Sequence, residues 1–121
     1  MLKYFALRCG VDSVAIRFPY IRPPFAKGRY GIAAARPGFI REGFSVITVA
    51  DAVDLVLAVL KPDLPGFRVY LPGVSLRCVD TPLPELIRAH YPGLSPDTPN
   101  LVDNRIITEE TGWEPRSDYG S

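Results

Sequence analysis

Five basic side chains, Arg22, Lys27, Arg29, Arg36 and Arg41, fall between Pro19 and Gly43 against the single acid Glu42. Four of them are arginines, whose planar fork of N–H donors matches the oxygens of a phosphate or carboxylate two at a time. The segment therefore reads either as a loop that receives an anionic small molecule or as a set of solvated loop charges. The bias is regional. Residues 1–60 carry eight basic and four acidic side chains, +4, and residues 61–121 carry six and nine, −3, which leaves +1 for the chain. So small a net charge, with no recognition-helix or aromatic-platform pattern, argues against nucleic acid as a partner.

Other chemistries are quickly excluded. Gly28-Arg29-Tyr30-Gly31-Ile32-Ala33-Ala34 spells a glycine-rich phosphate loop, but no hydrophobic strand precedes it and no acid follows near twenty positions on to hold a ribose. The single histidine, His90, has no second histidine or Cys/Asp/Glu cluster at ligand spacing, so no metal site is expected. No G-x-S-x-G surrounds Ser13, Ser45, Ser75 or Ser95. No tyrosine has a lysine four residues on, and Tyr4 followed by Arg8 is no substitute, because a guanidinium does not titrate. Cys9 and Cys78 lack a CxxC spacing and read as two reduced, semi-buried thiols. No catalytic residue is assigned.

The elements that must hold these residues alternate. Leu2, Phe5, Ala6 and Cys9 lie at helical spacing and Gly10 follows as a cap. Ser13–Phe18 reads as a strand that Pro19 stops by removing a ladder donor, and a proline-rich loop follows. Phe44–Val49 is a second strand, and Asp51 is placed to N-cap a helix through about Lys61, ended by Pro62 and Pro65-Gly66. Phe67–Leu71 is a third strand. Thr81-Pro82-Leu83-Pro84-Glu85 opens a helix to about Tyr91, and Asp103 is placed to cap a last one ending at Gly112-Trp113. Strand and helix in alternation predict an α/β domain. The longest apolar stretch, Val53–Leu60, is interrupted by Asp54 and too short to span a bilayer, and no cleavable signal pattern is present, so the chain reads as cytoplasmic.

The order "ALRCGVDSVAIRFPYIRPP", "FSVITVADAVDLVLAVL", "FRVYLPG", "LPELIRAHYP" and "NLVDNRIITEETGWEPR" resembles the C-terminal part of the NAD-dependent epimerase/dehydratase family, the extended short-chain dehydrogenases/reductases. Ile16-Arg17-Phe18-Pro19-Tyr20-Ile21-Arg22-Pro23-Pro24 aligns with a strand ending "LR" and the family's "YFNVYGP" segment. "TVADAVDLVLAVL" is similar to "VDDVADAVLLAL", with Asp51 at its second acid and Ala50 at its first. Asp103, Gly112, Trp113 and Pro115 are in step with the family's "D…A…LGW.P" tail.

The resemblance implies a Rossmann-like extended short-chain dehydrogenase fold of which residues 1–121 are a truncated C-terminal, substrate-binding portion, without the N-terminal dinucleotide-binding half. It implies NAD or NADP in a full-length parent, with Phe18, Pro19 and Tyr20 against the cofactor and none bound by these residues alone. Tyr20, Arg22, Arg29 and Arg41 are then expected to meet an anionic small-molecule substrate, sugar-nucleotide-like or otherwise bearing a hydroxyl or carbonyl. Tyr20, Arg22 and Pro23 stand where many sugar-nucleotide enzymes have Asn, Tyr and Gly, and the variant is similar to an "RFPF" branch. Alternatives left open are a non-catalytic binding or interaction protein, a homodimer among its forms, and a gene fragment without independent function.

Overall fold

A computed structural model describes residues 2–22, 41, 45–75 and 82–116, and these form a mixed α/β arrangement. Helix α1 (Leu2–Cys9) ends at Gly10, whose φ of 66° is the left-handed turn that leads into strand β1 (Ser13–Ile16). Strand β4 (Phe67–Tyr70) lies parallel to β1, with Ser13 opposite Phe67 and Ile16 opposite Tyr70. The start of this pair is fastened by Asp12, whose Oδ1 accepts the Gly66 N–H at 2.8 Å, and by the Ser13 N–H donating to the Gly66 carbonyl at 2.8 Å.

A second sheet has the order β2-β3-β5. Strand β2 (Tyr20–Arg22) runs parallel to β3 (Ser45–Thr48), and β3 runs antiparallel to the two-residue β5 (Val74–Ser75). Both β2 and β5 depart from the sequence reading, which placed a loop across Tyr20–Arg22 and saw no strand after Leu71. Neighbours in space supply what so short a segment lacks in pattern.

Helix α2 (Val49–Val59) follows β3 directly, and its cap differs from the expected one. Thr48, extended at φ −77° and ψ 158°, is the N-cap: its Oγ1 accepts the Asp51 N–H at 3.2 Å. Asp51 sits three residues into the helix, where its charge still faces the positive dipole end. Helix α3 (Leu83–His90) starts after Pro82 with Pro84 in its first turn, as expected. Helix α4 (Arg105–Thr111) has Asn104 rather than Asp103 at the cap position, while Asp103 Oδ1 accepts the Arg105 N–H at 3.0 Å. Gly112, at φ 74°, closes it.

The core gathers Ile47, Ala52, Leu55, Tyr70, Ile107 and Trp113, with Val14, Ile16, Ala58 and Val59 packed against it. Trp113 ties the tail to α2, since its Nε1–H donates to the Asp51 carbonyl at 3.1 Å. The Asp51 carboxylate, 1% exposed, accepts the Arg116 N–H at 3.2 Å, and the Arg116 guanidinium pairs with Asp54. Arg68 of β4 pairs with Glu110 of α4 beside Tyr70. The Tyr70 hydroxyl is buried without a hydrogen bond of ordinary geometry among the described residues, and that burial, with the Glu110 charge nearby, raises its pKa. Cys9, in the last turn of α1, is a free thiol and is exposed rather than semi-buried; Cys78 lies outside the described residues. No helix among the described residues is long and apolar enough to cross a membrane.

Candidate active-site cleft

Both strands of the parallel pair end in the same manner. After β1 the Arg17 N–H donates one more bond to the Tyr70 carbonyl, at 2.9 Å, and then Phe18-Pro19 carries the chain across to β2. After β4, Leu71-Pro72-Gly73 carries it across to β5. A proline has no N–H to continue a ladder, so each strand must stop there. The crossings bring the two sheets together. Gly73, with φ of 151°, lies where an added Cβ would be 3.1 Å from Pro19 Cγ and 3.3 Å from the Val46 carbonyl.

A cleft of about 580 Å³ opens at these carboxyl ends. Arg17, Phe18 and Pro19 form one side, Leu71 and Pro72 another, with Ser45 and Arg41 adjoining. The far wall is Tyr91 and Leu94, beyond α3, together with Leu101, Val102 and Asp103, before α4. Its volume is within the roughly 300–1,000 Å³ usual for small-molecule sites, and its position is where open α/β sheets bind ligands.

The far wall is fixed by amide side chains. Asn104 accepts the Gly73 N–H with Oδ1 at 3.3 Å and donates from Nδ2 to the Gly73 carbonyl at 2.8 Å. Asn100 Oδ1 accepts the Ser75 N–H at 2.7 Å, and Ser75 Oγ accepts the Leu101 N–H at 2.7 Å. Residues 100–104 are thereby held against the turn that leads into β5.

No family model, curated protein or solved structure matches this chain.

Of the residues singled out in the sequence, Phe18, Pro19 and Arg41 line the cleft. Tyr20 and Arg22 do not: they stand on β2, opposite Val46 and Thr48, because the chain has already joined the second sheet. Arg29 lies outside the described residues. Arg17, Tyr91, Leu94 and Asp103 were missed. Arg17 was visible as the residue that follows the β-branched run. Tyr91 was overshadowed by its neighbour His90, which does not line the cleft.

The charges are unequal in availability. Asp103 is engaged by Arg105, which donates from Nη2 to Oδ2 at 2.7 Å and from Nε to Oδ1 at 3.0 Å, and these bonds hold the carboxyl below its ordinary value. Neither Arg17 nor Arg41 forms an ion pair with a described residue. Burial pushes the Tyr91 phenol up, so it stays protonated across the neutral range. Among the described residues no group of three or more His, Cys, Asp or Glu side chains is placed to hold a metal. The cleft can therefore bind and orient, with two guanidiniums that pair with no described residue set for an anionic group.

Proposed function

We propose that these residues form the substrate-side portion of an NAD(P)-dependent epimerase, dehydratase or reductase acting on a hydroxyl- or carbonyl-bearing substrate with an anionic group. The observation that carries this reading is the shared exit of β1 and β4, which puts Phe18 and Pro19 at the edge of a cleft at the carboxyl ends of parallel strands. It joins the sequence resemblance at the residues that carry it best.

The residues fit one part of the cofactor. Phe18, partly exposed, and the Pro19 ring offer an apolar surface for a nicotinamide face. No glycine-rich strand-to-helix turn in the sequence is suited to a pyrophosphate, so that part must be held by polypeptide other than these residues. When bound, the nicotinamide supplies and takes back hydride. The chain's own residues orient the substrate: Arg17 and Arg41 hold its anionic group, and the apolar wall excludes water from its body.

The test is an NMR titration of the isotope-labelled chain with NAD and NADH. Weak binding is expected, with amide shifts centred on Arg17, Phe18 and Tyr20. A micromolar dissociation constant, or shifts confined to residues away from the cleft, would falsify the reading.

A further inference from the structure

The side of α2 turned away from the core is not made like the outside of a surface helix. Val49 is 38% exposed, Val53 and Leu57 52%, Val56 43% and Leu60, just past the helix, 75%. These residues recur at intervals of three and four and so fall within roughly 100° of arc. A helix face in solvent ordinarily carries polar groups, and no polar residue falls within this arc. Charge stands only at its margins. Asp54 on one flank pairs with Arg116, and Lys61 lies beyond the last turn.

We infer that this face is where two copies of the chain meet, α2 against α2 and turned end for end. A two-fold interface must be complementary to itself. The stripe is symmetric about a point between Asp54 and Leu55, so end-for-end pairing sets Val53 against Val56 and Val49 against Leu60, aliphatic on aliphatic throughout. The charges agree with that arrangement. Each Asp54 already has its Arg116, the two Lys61 side chains stand at opposite ends of the pair, and the helix dipoles oppose one another. A surface without a charge or a hydrogen-bonding group has nothing with which to select an unlike partner, whereas it fits its own copy as it stands.

The size of the face fixes the strength. At these exposures the five side chains leave on the order of 400 Å² of hydrocarbon uncovered, a patch of the size that marks interaction sites. Two copies would bury about 800 Å², below the roughly 1,200–2,000 Å² of a stable complex. The association is therefore weak and reversible, with a dissociation constant of roughly 0.1–1 mM, and dilute protein is monomeric. The inference does not depend on the nicotinamide reading, since none of the five residues lines the cleft.

Sedimentation velocity and the amide shifts of the labelled chain, followed from about 10 µM to about 1 mM, test it. The sedimentation coefficient should rise with concentration, with shifts centred on Val49, Val53, Val56 and Leu57. Two double variants, Val53→Glu with Val56→Glu and Val53→Lys with Val56→Lys, should each be monomeric throughout, and their mixture should associate at least about tenfold more tightly than either alone. Leu60→Ser, at the most exposed position and outside the helix, should weaken association about threefold or more and keeps the test open should a double variant not fold. Leu7→Glu, on α1 and 73% exposed, should change nothing. A chain that stays monomeric at about 1 mM, association untouched by the glutamates, or a mixture that remains monomeric overturns the inference. So does a monomer that binds phosphatidylcholine vesicles through the same valines, which would give the face to lipid.

Discussion

The two faces of α2 are made of the same residue types and have opposite fates. Ala52 and Leu55 are buried, with Leu55 at 0% exposure in the cluster of Ile47, Tyr70 and Trp113, whereas Val53 and Leu57 are 52% exposed and Leu60, just past the helix, is 75% exposed. A helix apolar all round ordinarily has neighbours all round. Here the described chain builds an interior on one side and leaves hydrocarbon uncovered on the other. The parallel pair β1-β4 repeats the contrast: Tyr70 is 2% exposed and its neighbour Val69 is 44% exposed. Parallel strands normally occur in sheets covered on both faces. The difference teaches that hydrophobicity along α2 does not by itself mark the core; the side that meets Trp113 and Ile107 does.

The sharpest way to break this comparison is to shorten one leucine on each face. Leu55→Ala should cost about 2–5 kcal/mol, because a cavity opens in packed surroundings. Leu57→Ala should cost less than about 1 kcal/mol, since half of that side chain is already in water. Urea midpoints of the two variants decide it, and equal losses would mean that the outer face is covered in solution.

A smaller effect concerns how α2 begins. Thr48→Ala removes the acceptor of the Asp51 N–H and should cost about 1 kcal/mol in the same assay. Asp51→Asn should leave the Thr48 cap intact, and its loss should come instead through the contact with Arg116. A stable Thr48→Ala would return the capping role to Asp51.

Much of the architecture was readable in the residues themselves. Gly10 and Gly112 mark element ends because glycine enters the left-handed region without strain, and Pro62 because it has no N–H to continue a helix, and both properties hold in any context. The error at Thr48 has a local cause: the spacing Thr48-x-x-Asp51 satisfies a cap at either residue, and which one it is depends on where β3 releases the chain. Strand β2 was hidden because Tyr-Ile-Arg before two prolines has no alternation long enough to read, and its partner Val46 is far along the sequence. The cleft was legible on one side only. Phe18 and Pro19 sit at a visible strand end, whereas Tyr91, Leu94 and Asp103 reach it through the bonds of Asn100 and Asn104 to β5, a strand with no signal of its own.

The smallest expected effect is invisible at neutral pH. Tyr70 has a folded-state pKa raised above its ordinary 10.0 by burial and by the Glu110 charge. The folded protein thus keeps the phenol proton to higher pH than the unfolded chain. Its contribution is fully present below pH 10.0 and is lost as pH climbs through the raised value. Denaturation midpoints measured from about pH 8 to about pH 11 should fall along that limb. In Tyr70→Phe the fall should be shallower, and an unchanged slope would show that Tyr70 ionises as freely folded as unfolded.

Gly73 gives the cleft a property that none of its walls states. The two sheets approach closely at Gly73, where a hydrogen atom stands in place of a side chain between Pro19 and Val46. Because the Pro19 and Pro72 crossings bound the cleft, its aperture is a dimension inherited from that joint and not an independent choice of the residues that line it. Lining residues can be exchanged to alter what the cleft prefers. A Cβ at Gly73 would instead press on Pro19 and on the Val46 carbonyl, and so act on how wide it stands.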